Sequence, residues 1–227
     1  MEQETLNSIS SYLSKLLRKN FGKGPQSCQS TVSGSIFTTY IRGFISPMEE
    51  ILMERGHNEQ VDMARNVIIN HVVDQLKGVV EISLSCEILQ WYHDWNFPNN
   101  SGLIFFLLDR EVSNPVNVPY ATDLKKLEDE VARISALVQK VPDKIHIYPV
   151  SETAIIVERK GILIPIEKAL IAKGFEEELV MTKDDLEKSY FHNYGKFNEI
   201  FKREVKEIFI DWNFKEDKSL MGFILEG

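Results

Sequence analysis

The sequence predicts an α+β fold built twice: two tandem copies of an α-β-β-α-α-β-β unit, each an antiparallel sheet with helices on one face, packed as a pseudo-twofold pair. Three observations carry this. The string Asp94-Trp95-Asn96-Phe97 recurs as Asp211-Trp212-Asn213-Phe214, an offset of 212 − 95 = 117. The same offset pairs Leu103, Phe106, Leu108 and Asp109 with Leu220, Phe223, Leu225 and Glu226. Upstream the offset becomes 118 and holds again: Gly43, Pro47, Glu49, Leu52 and Gly56 answer to Gly161, Pro165, Glu167, Leu170 and Gly174. One single-residue deletion reconciles the two offsets, so the repeat spans each half rather than one motif.

Each element follows from local pattern. Leu6, Ile9, Leu13, Leu16 and Leu17 recur at helical spacing and predict an amphipathic first helix. Lys15, Arg18 and Lys19 near its end suit the helix dipole, and Gly22 is placed to stop it. Leu124, Leu127, Val131 and Ile134 repeat that helix. Gln26–Val32 and Ser35–Arg42 then read as a hairpin around Ser33-Gly34. Lys144–Val150 and Thr153–Arg159 repeat it around Ser151-Glu152.

Ser46-Pro47-Met48-Glu49 places serine at the N-cap, proline at N1 and glutamate at N3, a capping box that opens a short helix ending near Gly56. The second copy keeps Pro165 and Glu167 but has Ile164 in place of the serine. Its helix start is expected to be weaker by about 1 kcal/mol. A longer helix is predicted over 61–84, with Val61, Ala64, Ile68, Val72, Leu76 and Val79 as its apolar face, and again over 182–204. Strands over 86–95 and 102–109, then 205–212 and 219–226, close the units. Short turns between neighbouring strands make the sheets antiparallel.

Residues 1–110 form the first unit, 111–120 a linker with two prolines and two asparagines, and 121–227 the second. The formal charge is −8, split as 9 basic and 13 acidic residues over 1–114 and 17 and 21 over the rest, or −4 each. That acidity argues against nucleic acid as a partner, since a phosphate backbone needs a basic footprint. No apolar run reaches the roughly 20 residues of a membrane span, and the acidic start is not a secretory signal. Cys28 and Cys86 read as reduced thiols in a cytoplasm.

Candidate chemistry is sparse. Gly22-Lys23-Gly24-Pro25 could bind an anion through backbone amides assisted by Lys23. It runs from a helix into a strand, however, unlike a phosphate loop, which leads into a helix N-terminus. Helix stop and turn is the simpler reading. The histidines 57, 71, 93, 146 and 192 lack ligand spacing, and His93 becomes Ile210 in the second copy. Glu176-Glu177-Glu178 and Asp184-Asp185 read as a solvated helix start. Trp91, Tyr92, Trp95 and Phe97 read as sheet core or interface rather than a base-stacking platform. In the repeated corner, Asp94, Trp95, Asn96, Phe97 and their counterparts Asp211, Trp212, Asn213 and Phe214, tryptophan anchors the sheet while Asp and Asn satisfy turn backbone groups. No catalytic residues, metal or cofactor is expected.

The chain resembles the bacterial MpsC-like domain, once per half. In the first half the resemblance rests on the helix before Gly22-Lys23-Gly24-Pro25, the hairpin, the Ser46-Pro47-Met48-Glu49 turn, Arg65 on the long helix and the closing strands. The second half keeps Pro165, Glu167 and the closing strands but lacks the glycines and the cap serine. The resemblance implies a link to a bacterial membrane system for cation or inorganic-carbon uptake and membrane potential, of which this member is the soluble accessory. The reading is a non-enzymatic cytoplasmic accessory or adaptor, peripheral at the membrane, that binds a protein partner in a transport complex. Homo-oligomerisation is left open. The alternative is a small-anion or nucleotide sensor using Gly22, Lys23, Gly24 and Pro25. An enzyme with an unfamiliar site is the third class.

Overall fold

A computed structural model describes residues 3–116 and 122–227. The expected linker lies partly outside them. The chain divides into two compact units, Met1–Trp91 with Trp95–Asn114, and Tyr92–Asp94 with Pro115–Gly227.

The first unit opens with α1 (Gln3–Phe21), whose Leu6, Ile9, Leu13, Leu16 and Leu17 are all buried. At about 2 kcal/mol per buried aliphatic side chain, this face outweighs any propensity term in fixing the helix. Strands β1 (Ser27–Ser33) and β2 (Ile36–Arg42) follow, then α2 (Pro47–Glu54), α3 (Asn58–Leu84), β3 (Ile88–Asn96) and β4 (Ser101–Leu108). The sheet order is β1-β2-β4-β3. The β1/β2 and β2/β4 pairs are antiparallel, with Ser33 facing Ile36 across the turn and Phe37 facing Phe106. Phe37, Ile41, Ile104 and Phe106 pack with Ile9, Leu13, Ile69 and Leu76 from the helices.

The second unit repeats the order with α4 (Leu124–Val138), β5 (Lys144–Ser151), β6 (Ala154–Lys160), α5 (Pro165–Ala172), α6 (Glu176–Tyr194), α7 (Phe197–Phe201), β7 (Val205–Asn213) and β8 (Lys218–Leu225). Its sheet order is β5-β6-β8-β7, so the topology of the first sheet recurs strand for strand. Leu127, Val131, Ile134, Phe191 and Phe223 centre its core.

Three sequence expectations need correction. The helix predicted over 182–204 begins at Glu176 and breaks at Gly195, with α7 following. A Cβ on Gly195 would lie 2.1 Å from the Phe197 ring and 2.5 Å from the Phe191 carbonyl, so only glycine lets Phe197 fold back onto the core. Two of the groups freed by the break are satisfied: Lys196 N–H donates to Glu130 and Arg133 donates to the Tyr194 carbonyl. The helix predicted over 61–84 begins three residues earlier, at Asn58, and its buried face is Val61, Arg65, Ile69, Val72, Val73, Leu76 and Val80. Ala64 is exposed, while Ile68 and Val79 are half-buried. A hydrophobic template passes over Arg65, and the expected face slips round the helix as a result. Both hairpin turns sit one residue later than expected, because the terminal pairs are Ser33 with Ile36 and Ser151 with Ala154.

Candidate functional site

The chemistry-bearing side chains of each unit converge where the short helix meets the long one. In the first unit, Ser46 caps α2. Its N–H donates to Glu49 at 2.7 Å and its hydroxyl accepts from Glu49 N–H at 3.4 Å. The other Glu49 oxygen takes a hydrogen bond from Arg65 Nη2 at 2.5 Å. The Arg65 guanidinium lies 4.3 Å from the Phe21 ring, 4.1 Å from Phe44 and 5.0 Å from Trp95. Its Nε and Nη1 have no hydrogen-bond partner among the described residues. The aromatic faces supply the compensating field instead, at about 0.5–2 kcal/mol per contact. Burial pulls the guanidinium below its ordinary pKa, and Glu49 pulls it back up in part. Gly102 allows the Trp95 ring its place, since a Cβ there would meet it at 2.1 Å.

The second unit holds the same pair in altered form. Glu167 and Lys183 occupy the positions of Glu49 and Arg65 (167 − 49 = 183 − 65 = 118) and lie 3.1 Å apart. Half of the capping box survives: Glu167 accepts from Ile164 N–H at 2.9 Å, but the isoleucine side chain cannot accept in return. Lys183 also reaches Glu187 at 2.8 Å, and Glu187 pairs with Arg159 at 2.6 Å. Arg159 donates further to Ser219 at 2.8 Å and Ser135 at 3.2 Å, and Trp212 Nε1 donates to Glu187 at 3.1 Å. The corresponding first-unit positions are Ile41, Ile69, Gly102 and Leu17. An apolar contact in one copy has become a buried ion pair in the other. Burial, the largest influence on Glu187, raises its pKa, but Arg159 and Lys183 together hold it below the usual carboxylate value.

Asp94 and Asp211 are used differently from the turn role expected of them. Asn96 and Asn213 do satisfy their turns, accepting from Asn99 N–H and Glu216 N–H at 3.2 Å each. The aspartates bind strand backbone instead. Within the second unit, Asp94 accepts from Ile210 N–H at 2.7 Å and from Lys188 at 2.7 Å. Asp211 accepts from His93 N–H at 2.8 Å and Trp212 N–H at 2.7 Å. Both Asp211 oxygens of this half-buried residue are turned onto backbone donors, and desolvation pushes its carboxyl up to about 7. Asp184, paired with Lys188 at 2.6 Å, is likewise raised to about 7, by burial first and Asp94 second. The expected solvated acidic start is therefore correct for Glu176–Glu178, which are exposed, and wrong for the half-buried, ion-paired Asp184.

The Na+-translocating membrane potential-generating system (MpsC) family model matches residues 2–110 and again 125–227. The chain belongs to the MpsC family. No curated protein and no solved structure matches it.

Within the first MpsC unit, the Gly22–Pro25 turn is tied to the same centre. Gly22 has φ 74° and ends α1 directly after Phe21, which covers Arg65. The Lys23 ammonium donates to the Ile45 carbonyl at 3.0 Å, next to the Ser46 cap. Gly24 lies against the Arg18 side chain, and Pro25 leads into β1. The second MpsC unit has Lys140 paired with Asp143 at 3.0 Å near this position. Pro47 and Pro165 both open their short helices. Phe97 packs on Phe44 at 5.9 Å, and Phe214 is buried with Ile162 and Leu163. Among the described residues no cluster of three His, Cys, Asp or Glu could hold a metal ion. Cys28 and Cys86 are free thiols, and burial pushes Cys28 up to about 12. A depression of about 280 Å³ opens beside Gly195 and Phe197.

Sequence reasoning missed Asn100 and Asp217. Each has φ near 50° and turns one side-chain oxygen onto two successive backbone N–H groups, of Phe44 and Ile45 or of Ile162 and Leu163. The signal was present: they align at offset 117, and Asn and Asp are the side chains that tolerate a left-handed backbone.

Proposed function

We propose that this chain is a non-catalytic accessory protein of a membrane-potential or cation-transport system, acting at the cytoplasmic face by binding a protein partner through the helix pair that each unit presents. One observation carries the reading. The pair α2 and α3 turns large apolar side chains outward, with Met48 70%, Ile51 56% and Val67 73% exposed. The pair α5 and α6 does the same with Ile166 at 65%, and Ile166 occupies the position of Met48 one repeat on (48 + 118 = 166). Exposed apolar side chains gathered on one substructure mark an interaction site. The family description names a membrane system, and no described helix is long and apolar enough to cross a bilayer.

The sensor alternative draws less from the geometry, because the Lys23 ammonium is already bonded to the Ile45 carbonyl. The test is affinity capture of the tagged chain from detergent-solubilised membranes of its own host. The wild type should retain an integral-membrane transport complex, and the Met48→Ser/Val67→Ser variant should retain several-fold less of it with an unchanged melting temperature. Equal retention by both overturns the reading. A large, saturable rise in melting temperature with phosphate or nucleotide, lost in Lys23→Ala, would establish the sensor instead.

A further inference from the structure

We infer that the outer side of the α2–α3 helix pair is a docking surface for a basic amphipathic helix of a partner protein. The inference rests on the accessory reading above and names the chemistry of its partner. Three of the chain's six methionines, Met48, Met53 and Met63, fall within this short stretch. Met48 and Met63 are exposed and Met53 is half-buried. Methionine is unbranched and polarisable, and surfaces rich in it accept helices by adjusting to their side chains. Ile51 and Val67 extend the apolar area, also exposed. Met48 and Ile51 are three residues apart on α2, Met63 and Val67 four apart on α3, so each pair shares one side of its helix.

Charge selects the occupant. The exposed ionisable groups between Met48 and Val67 are Glu50, Glu54 and Glu59 against Arg55 and His57, in a chain of net charge −8. An anionic lipid surface or a nucleic acid would be repelled by that field. A helix with an apolar face flanked by Lys and Arg meets both the methionines and the glutamates. Membrane proteins offer this class of segment beside their cytoplasmic helix ends, where Lys and Arg are in excess. The partner chemistry thus fits the location in the accessory reading without being assumed by it.

The test is fluorescence anisotropy with the full chain and a labelled Leu/Lys amphipathic peptide of about 18 residues. The expected result is saturable binding with a Kd on the order of micromolar at low salt. Met48→Ser/Val67→Ser should weaken it at least about tenfold, with the melting temperature unchanged. Glu50→Gln/Glu54→Gln/Glu59→Gln should weaken it and flatten its salt dependence. Equal binding of a Leu/Glu peptide or of a scrambled Leu/Lys peptide overturns the inference, as does insensitivity to the double variant. Binding to phosphatidylserine vesicles in place of the peptide overturns it in favour of lipid. Capture of the membrane complex without peptide binding removes this inference and leaves the accessory reading. Peptide binding without capture does the reverse.

Discussion

Asp211, half-buried, and Glu187, fully buried, are both carboxylates held on protein donors, and their surroundings drive them in opposite directions. Glu187 faces two cations, Arg159 and Lys183, and its pKa is held down. Asp211 faces two backbone N–H groups and feels Asp94 and Asp184, and its pKa rises to about 7. The signs of the stability effects follow. A depressed folded pKa gives stability that is present above the unfolded value, near 4.5, and is lost as pH falls through the folded value. A raised folded pKa gives stability that is full below the unfolded value, near 3.8, and is lost as pH rises toward 7. Urea midpoints across the pH range should therefore fall at both ends. The difference between wild type and Asp211→Asn should grow between pH 4 and pH 7 and then level off. The difference between wild type and Glu187→Gln should instead shrink only below about pH 4.5. If the Asp211→Asn difference is flat with pH, the desolvation account of that residue is wrong.

At the scale of elements, the two long helices show what a glycine does in two settings. Gly78 lies in the middle of α3, and a Cβ there would meet nothing within 4 Å. Gly78→Ala should stabilise the chain by about 0.5–1 kcal/mol, because it removes only unfolded-state freedom. Gly195 closes α6, and a Cβ there collides with Phe197 and with backbone. Gly195→Ala should cost about 1–3 kcal/mol, since backbone cannot yield as a flexible side chain can. Paired denaturation curves check both signs at once. The same contrast explains what was legible in the sequence. The element order, the capping box at Ser46 and the closing strands were legible because hydrophobic period and cap chemistry are local. The break at Gly195 was not, because its cause is a ring two residues on folding back against the core. The burial of Arg65, Arg159 and Glu187 was hidden for a related reason. Periodicity assigns charge to the outside, and only the assembled unit shows the partner that lets a charge stay within. The candidate site was half legible: Glu49 came from the capping box and Glu167 from the repeat, Arg65 came from the family pattern, whereas Lys183 and Glu187 needed the fold.

At the scale of the whole chain, duplication left two solutions to one packing problem. The first unit fills the space beside the shared acid–base pair with Leu17, Ile41, Ile69 and the bare backbone of Gly102; the second uses Ser135, Arg159, Glu187 and Ser219. A buried ion pair need not be more stable than the apolar contact it replaces, because desolvation cancels much of its Coulomb gain. Removing the carboxylate is different, since it strands Arg159: Glu187→Ile should cost about 3–5 kcal/mol. Arg159→Ile leaves Glu187 its Lys183 partner and should cost less, about 1–3 kcal/mol. The combined Ser135→Leu/Arg159→Ile/Glu187→Ile/Ser219→Gly exchange rebuilds the first unit's solution and should recover most of that loss, ending within about 2 kcal/mol of wild type. Trp212 sets the residual cost, because it loses its Glu187 acceptor and must settle over the backbone bared by Ser219→Gly, as Trp95 settles over Gly102. Denaturation of the four single variants, the Arg159→Ile/Glu187→Ile double variant and the fourfold variant gives the coupling. A fourfold variant as unstable as the sum of its parts would mean that the two units no longer share one packing frame, and that the ion network has become part of what defines the second.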